Sequence, residues 1–256
     1  MVLRNLLFVS GSGGMVLFEK SWGDPAVLPT KILSLGGVLT SVQEFARQIV
    51  GYQMAYVEFE GVAMTLAKDE ASELQCVLFH DVEDGSLFGR LVSNQLLCSF
   101  LEEFADIDFS RGIHDTGRFM SFGSKVKDSL RDSVEAILLH LASQRGYTQA
   151  IMVYNNGQTQ TGGEPGLELG LAANLQPLLA VAGSMLVDEA DAQDLIFVES
   201  TSNVVLVYRL PVGNLVSVCK KGTRKEREIR RDVMVEQTKS SALLIEKVFE
   251  AMKKIQ

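Results

Sequence analysis

Leu3-Arg4-Asn5-Leu6-Leu7-Phe8-Val9-Ser10-Gly11-Ser12-Gly13-Gly14-Met15-Val16-Leu17-Phe18-Glu19-Lys20-Ser21-Trp22 consists of two apolar runs joined by a string of small residues. Glycines supply the positive φ angles of tight turns, so the stretch reads as a β-hairpin. A phosphate-binding loop occupies the same kind of position and has to be tested. A Walker loop ends in Gly-Lys-Ser/Thr, whereas Met15-Val16 follows here. A dinucleotide fingerprint needs a third glycine where Val16 stands, and a helix where a strand is read. The chain therefore opens with strand, turn and strand.

Working outward, a loop with Pro25 and Pro29 leads to Ser41-Val42-Gln43-Glu44, a capping box ahead of an apolar stripe of Val42, Phe45, Ala46, Ile49 and Val50. Strands are expected at 53–60, at 62–68 after Gly61, and at 74–81, with side chains alternating between faces. Asp84-Gly85-Ser86 then starts a helix, with Asp84 or Ser86 as its cap, carrying Leu87, Phe88, Leu91, Val92, Leu97, Phe100, Leu101 and Phe104. That apolar face is wide enough for the sheet and a second neighbour.

The same β-β-α-β-β-β-α order, read over residues 3–106, returns over 148–254. Between the copies, 107–124 holds Gly112, Gly117 and Gly123 with few aliphatic residues and reads as a join, and a helix over about 125–143 carries Val134, Ile137, Leu138 and Leu141. Tyr147 to Tyr154 is a strand, Asn155-Asn156-Gly157 a turn, and Gln158 to Thr161 a short partner strand ended by Gly162, Gly163 and Pro165. A helix over 167–186, interrupted by Pro177, carries Leu171, Leu175, Leu178, Leu179, Ala182 and Met185. After the acidic loop at 188–191, strands at 193–199, 203–210 and 214–219 precede a last helix over 233–254. The fold class is α+β, with two tandem domains, 1–124 and 125–256, each a five-stranded antiparallel sheet flanked by helices.

The first half resembles a longin domain through the hairpin Leu6 to Phe18, the capped helix at 41–50, the three strands and the helix from Phe88 to Phe104. The second half resembles a roadblock/dynein light chain domain, ordered helix, two strands, helix, three strands, helix. The resemblance implies modules of membrane-traffic adaptors and GTPase-regulating complexes. Expected partners are a small GTPase and other longin- or roadblock-containing subunits, in homo- or hetero-dimers. A dimerising component of a dynein-associated or ciliary assembly is the alternative. It also implies pairing through the sheet side formed by Leu195, Phe197, Val205 and Val207 with Leu175 and Leu179 of the preceding helix. Burial inside the chain's own core is the competing account of those residues.

Composition narrows the function further. Of 256 residues, 24 are Lys or Arg and 32 are Asp or Glu, and the net charge of −8 argues against a general nucleic-acid surface. Cys76, Cys98 and Cys219 are odd in number and far apart, which suggests reduced thiols in a cytosolic protein. Met1 to Val9 lacks a basic leader and a small-residue cleavage site and reads as a strand rather than a signal core. The expected location is the cytoplasm, at most peripheral on the cytosolic face of endomembranes.

Chemistry is sparse. His80, His114 and His140 lie far apart; Cys76 and His80 share a strand face but sit too far apart for a nucleophile and its base. Asp81, Glu83 and Asp84 lack the spacing and distal Glu of a calcium loop. No catalytic, cofactor or metal site is expected. An arginine finger from Arg111 or Arg118, offered to a GTPase, is the enzymatic alternative. The sharpest feature is Lys220-Lys221-Gly222-Thr223-Arg224-Lys225-Glu226-Arg227-Glu228-Ile229-Arg230-Arg231, with a local charge of +5 in a chain otherwise at −13. Its basic residues Lys220, Lys221, Arg224, Lys225, Arg227, Arg230 and Arg231 suit an anionic lipid surface or an acidic partner; a solvated, partly helical loop is the plain alternative.

Overall fold

A computed structural model describes residues 3–10, 14–22, 29–109, 115–163, 168–184, 194–201, 203–220 and 224–255. The chain divides into two compact units, Met1–Ser133 with Glu250–Gln256, and Val134–Phe249.

In the first unit, strands β1 (Leu3–Ser10), β2 (Met15–Ser21), β3 (Tyr56–Phe59), β4 (Val62–Asp69) and β5 (Leu74–Asp81) form one antiparallel sheet in the order β2-β1-β5-β4-β3. The expected hairpin is β1 with β2, in register from Asn5 opposite Ser21 to Ser10 opposite Met15, with a bulge at Phe8/Val9. Residues 11–13 of its turn lie outside the described residues.

The first helix departs from the sequence reading. Helix α1 runs from Pro29 to Val50, twelve residues ahead of the expected capping box. Proline suits a first helical position, because its missing N–H is one that the helix leaves without an intrahelical partner anyway. Ser41 lies inside the helix, where its Oγ donates to Gly37 O at 2.9 Å instead of capping. The helix also turns a different face to the sheet. Leu39 and the half-buried Leu35 pack with Leu7, Val9, Met64, Leu66, Val77 and Phe79, while Val42, Phe45, Ile49 and Val50 point outward. Glycine places the helix against the hairpin: a Cβ on Gly36 would stand 2.0 Å from the carbonyl oxygen of Gly14, itself at φ +64°. Only glycine allows that approach.

The opposite sheet face is covered by helix α2 (Gly85–Glu103) and the 3-10 stretch Gly117–Ser124. Phe100 of α2 is the hub. Its ring stacks on Phe8 at 4.0 Å between centroids and meets Phe104, Phe119 and Phe122 at 4.8, 5.6 and 5.0 Å. The segment read as a join thus contributes Phe109, Phe119 and Phe122 to the core, and these are the second neighbour that the wide face of α2 requires. Aliphatic content was the wrong measure there, because the core on this face is built from phenylalanine. Asp84 precedes α2 but makes no side-chain cap bond. Helix α3 (Val126–Ala142) follows and carries the division between the units.

In the second unit, β6 (Tyr147–Tyr154), β7 (Thr159–Gly163), β8 (Leu195–Glu199), β9 (Asn203–Leu210) and β10 (Gly213–Lys220) repeat the arrangement as β7-β6-β10-β9-β8. Helix α4 (Glu168–Ser184) packs Leu175 against Ile151, Val153, Val207 and Val216, with Pro177 inside the helix at an exposed position. Gly162 and Gly163 continue β7 instead of ending it. A Cβ on Gly162 would lie 2.3 Å from the backbone of Leu138, so glycine lets α3 lie directly on this strand. The acidic loop at 188–191 falls outside the described residues. Helix α5 runs from Arg224 to Lys253, so most of the basic segment read as a loop forms its first turns.

Both halves share one architecture: two hairpin strands, a crossing helix and three antiparallel strands, with the first and last strands paired at the centre. Removing the hub ring should leave a cavity among the surrounding rings. Phe100→Ala is expected to cost about 3–5 kcal/mol in urea unfolding, whereas Met120→Ala, at an exposed position of the same unit, should stay within ~0.5 kcal/mol.

Candidate protein-interaction surfaces

The six apolar residues expected at a pairing surface are distributed over both faces of the second sheet. Cross-strand register sets Ile196 opposite Val207 and Val198 opposite Val205, on the α4 face; Leu195 opposite Tyr208 and Phe197 opposite Leu206 share the other face. Leu175 and Val207 are only 2% exposed and belong to the core under α4, with Leu179 and Val205 half-buried at its margin. Leu195 and Phe197 are half-buried on the other side of an edge strand. The guanidinium of Arg231 lies 4.5 Å from the centroid of the Phe197 ring, a cation–π contact worth ~0.5–1 kcal/mol at an exposed site. It joins the end of the basic segment to the predicted apolar surface, a link that spacing along the chain does not reveal.

Around that contact, Lys220 is exposed at the end of β10, Lys221 lies outside the described residues, and Arg224, Lys225, Arg227, Arg230 and Arg231 occupy the first turns of α5. Cations at a helix N-terminus oppose the macrodipole, so an anion placed there gains from both the charges and the helix end. Further along, α5 is fixed to its sheet by polar contacts: Tyr147 Oη donates to Met234 O at 2.8 Å, and Thr238 Oγ1 lies 3.0 Å from Ser217 Oγ. Burial pushes the Tyr147 phenol well above its ordinary range, so it stays a neutral donor.

In the first unit, the outward side of α1 leaves Val38, Val42, Phe45 and Ile49 exposed. The periodicity of the sequence marks most of this stripe, and the structure places it on the outward side of the helix. Beside it, a cleft of about 440 Å³ is lined by Gln43, Glu44, Arg47, Lys68, Glu70 and Gln75, among others. Four of its charged side chains pair, Arg47 with Glu44 at 3.1 Å and Lys68 with Glu70 at 3.0 Å. Hydrogen bonding from Arg47 and then Gln48 holds the Glu44 carboxyl below its ordinary range.

Several of the residues weighed for chemistry have structural partners. His80 is buried, its Nδ1 2.9 Å from Asp81 O and its Nε2 2.9 Å from Thr65 Oγ1. A carbonyl only accepts, so Nδ1 carries the proton, and in the neutral ring the Thr65 hydroxyl donates to Nε2. The Asp84 carboxylate faces inward, 3.8 Å from Nδ1, instead of capping α2. Asp81 pairs with Arg4 at 2.9 Å. Arg118 pairs with Asp106 at 3.1 Å; Arg111 and His114 fall outside the described residues. Among the described residues, no group of three His, Cys, Asp or Glu side chains could hold a metal ion. No described helix is long and apolar enough to cross a membrane.

No family model matches this sequence, and no curated protein matches it. Among solved structures, Myxococcus xanthus MglB is similar at 16% identity and a TM-score of 0.39, over 46% of this chain and 94% of its own. A roadblock/LC7 domain from Streptomyces avermitilis is similar at 15% identity and a TM-score of 0.36, over 45% of this chain and 94% of its own.

Burial decides which thiols react. Cys76 and Cys219 are buried and Cys98 is exposed, and desolvation pushes the Cys76 thiol far above its ordinary range. A thiol reagent at neutral pH should label Cys98 alone in the native protein and all three cysteines in denaturant, read by mass spectrometry.

Proposed function

We propose that this protein acts by binding, as a non-enzymatic adaptor or subunit that engages a small GTPase or its regulatory complex on the cytosolic face of endomembranes. The observation that carries the reading is the doubling of one module within a single chain, β2-β1-β5-β4-β3 and β7-β6-β10-β9-β8. Each sheet keeps two edge strands, whose outer backbone groups offer main-chain pairing to another chain. A scaffold that repeats such a sheet presents twice the docking edge without needing chemistry.

In this reading the second unit supplies the partner surface. Leu195, Phe197, Val205 and Leu179 make the contact at the edge and margins of the sheet, and the core positions Leu175 and Val207 support it. The basic residues from Lys220 to Arg231 dock on an anionic membrane surface or on an acidic partner, each cation near such a membrane contributing ~1 kcal/mol.

Purified protein is expected to retain a small GTPase or a regulator of one when challenged with nucleotide-loaded GTPases and their regulatory subunits in pull-down. Retention of none of them would sink the reading. Replacing Arg224, Lys225, Arg227, Arg230 and Arg231 together by Ala should reduce binding to anionic vesicles by at least ~10-fold and flatten its salt dependence. Unchanged vesicle binding and unchanged partners would leave the segment a solvated helix end.

A further inference from the structure

Gln75 is the second residue of β5, on the sheet face that meets α1, between Val9 of β1 and Lys68 of β4. It is only 4% exposed, and its Oε1 is buried without a hydrogen-bond partner. A carbonyl oxygen left in that state costs free energy that an apolar side chain at the same place would not. The second unit repeats the arrangement. Asn214 is the second residue of β10, between Val153 of β6 and Arg209 of β9 on the face that meets α4, and its Oδ1 too is buried without a partner. Each module thus sets a carboxamide, opposite a basic residue of the neighbouring strand, on a face that otherwise packs apolar side chains beneath the crossing helix.

In the first unit the carboxamide has a cleft to face. Gln75 lines the space of about 440 Å³ between α1 and the β4–β5 hairpin, which has the size of a small-molecule site. Leu66 and Met54 give it apolar wall, and five charged side chains stand around it, three carboxylates against two cations. Arg47 and Lys68 are matched to Glu44 and Glu70. Glu73 is the carboxylate left over. It is exposed, and among the described residues it has no ion pair and no hydrogen bond. It also stands at φ +55°, where glycine or asparagine serves a turn better, so the backbone does not account for a glutamate there.

We infer that this cleft binds a small organic monocation, an alkylammonium or alkylguanidinium, whose N–H groups donate to Gln75 Oε1 and to the Glu73 carboxylate while its alkyl body lies along Leu66 and Met54. The last torsion of glutamine is soft, so the amide oxygen turns to the entering donor. Two unpaired acceptors call for a donor, and one unmatched carboxylate calls for a single positive charge. An anion would meet Glu73 with the same sign, and an alcohol would leave its charge unpaired. The inference stands apart from the GTPase reading, which places the partner surface in the second unit.

The full chain is titrated with n-butylammonium and n-butylguanidinium and followed by NMR at the Gln75 side-chain amide and the backbone amides of Lys68 and Glu73. Saturable shifts are expected, with dissociation constants on the order of 1 mM, the range that ligands of this size reach. n-Butanol and butyrate should bind at least ~10-fold more weakly. Glu73→Gln should weaken the cations by about 3- to 10-fold, and Gln75→Leu by at least ~10-fold. Gln75→Leu should also keep or raise the thermal midpoint, because leucine needs no hydrogen bond there, whereas loss of a merely structural amide would lower it. No saturable shift up to ~50 mM of either cation, butyrate or butanol binding as well as the cations, either variant binding like the wild type, or a destabilised Gln75→Leu protein would each overturn the inference.

Discussion

Two-sided burial of the central strand pairs is the constraint from which the rest of this structure follows. β1 lies between β2 and β5, and β6 between β7 and β10, so the inner strands β1, β5, β6 and β10 are buried along almost their whole length. A strand in that position needs apolar cover above and below, which one helix cannot supply. The first sheet accordingly takes α1 on one face, with α2 and the aromatic 3-10 stretch on the other; the second takes α4 on one face and α5 on the other. Cover on both faces leaves the sheet edges, and the outer sides of the helices, as the places where such a module meets anything else.

The strands were legible because alternation and glycine turns are local signals. Leu3–Ser10, Leu74–Asp81, Tyr147–Tyr154 and Asn203–Leu210 stand where the pattern of branched and aromatic residues puts them. The phase of α1 was not legible, for a definite reason. Leu35 and Leu39 form one apolar face and Val38, Val42, Phe45 and Ile49 form another close beside it, and a periodicity argument favours the longer stripe. Only the sheet decides between them, through Leu7, Met64 and Val77, and it takes the shorter. The start of the same helix was hidden by Ser41 and Glu44, which have the spacing of a capping box but lie inside a helix that Pro29 begins.

The candidate surfaces were legible only in part, and the reason is again register. The runs Leu195 to Val198 and Val204 to Tyr208 are nearly continuous in apolar residues, but an apolar run cannot say which side chains share a face. Pairing Phe197 with Leu206 and Ile196 with Val207 divides the set. The basic segment was visible as charge, while its helical start and the approach of Arg231 to Phe197 depend on where α5 lies over β8. Glycine misled at β7 for a related reason. Gly162 serves as a close-contact residue beneath Leu138, a role that sequence alone does not separate from chain termination.

A difference between the helices of each module bears on where partners bind. Apolar packing is non-directional and leaves a helix free to slide, whereas a buried polar contact fixes it at one position. α5 has such contacts in Tyr147 to Met234 and Ser217 to Thr238. α2 is located by Gly89, whose backbone closes on the Thr65–His80 hydrogen bond so tightly that a Cβ would stand 2.0 Å from Thr65 Oγ1. α1 and α4 meet their sheets through the side chains of Leu35, Leu39 and Leu175, with the glycine approach at Gly36 setting the early part of α1. In α1 the Gly36 approach to Gly14 is as close as the one at Gly89 and fixes the early part of the helix by the same steric registry, while the later part presents an uncovered apolar stripe.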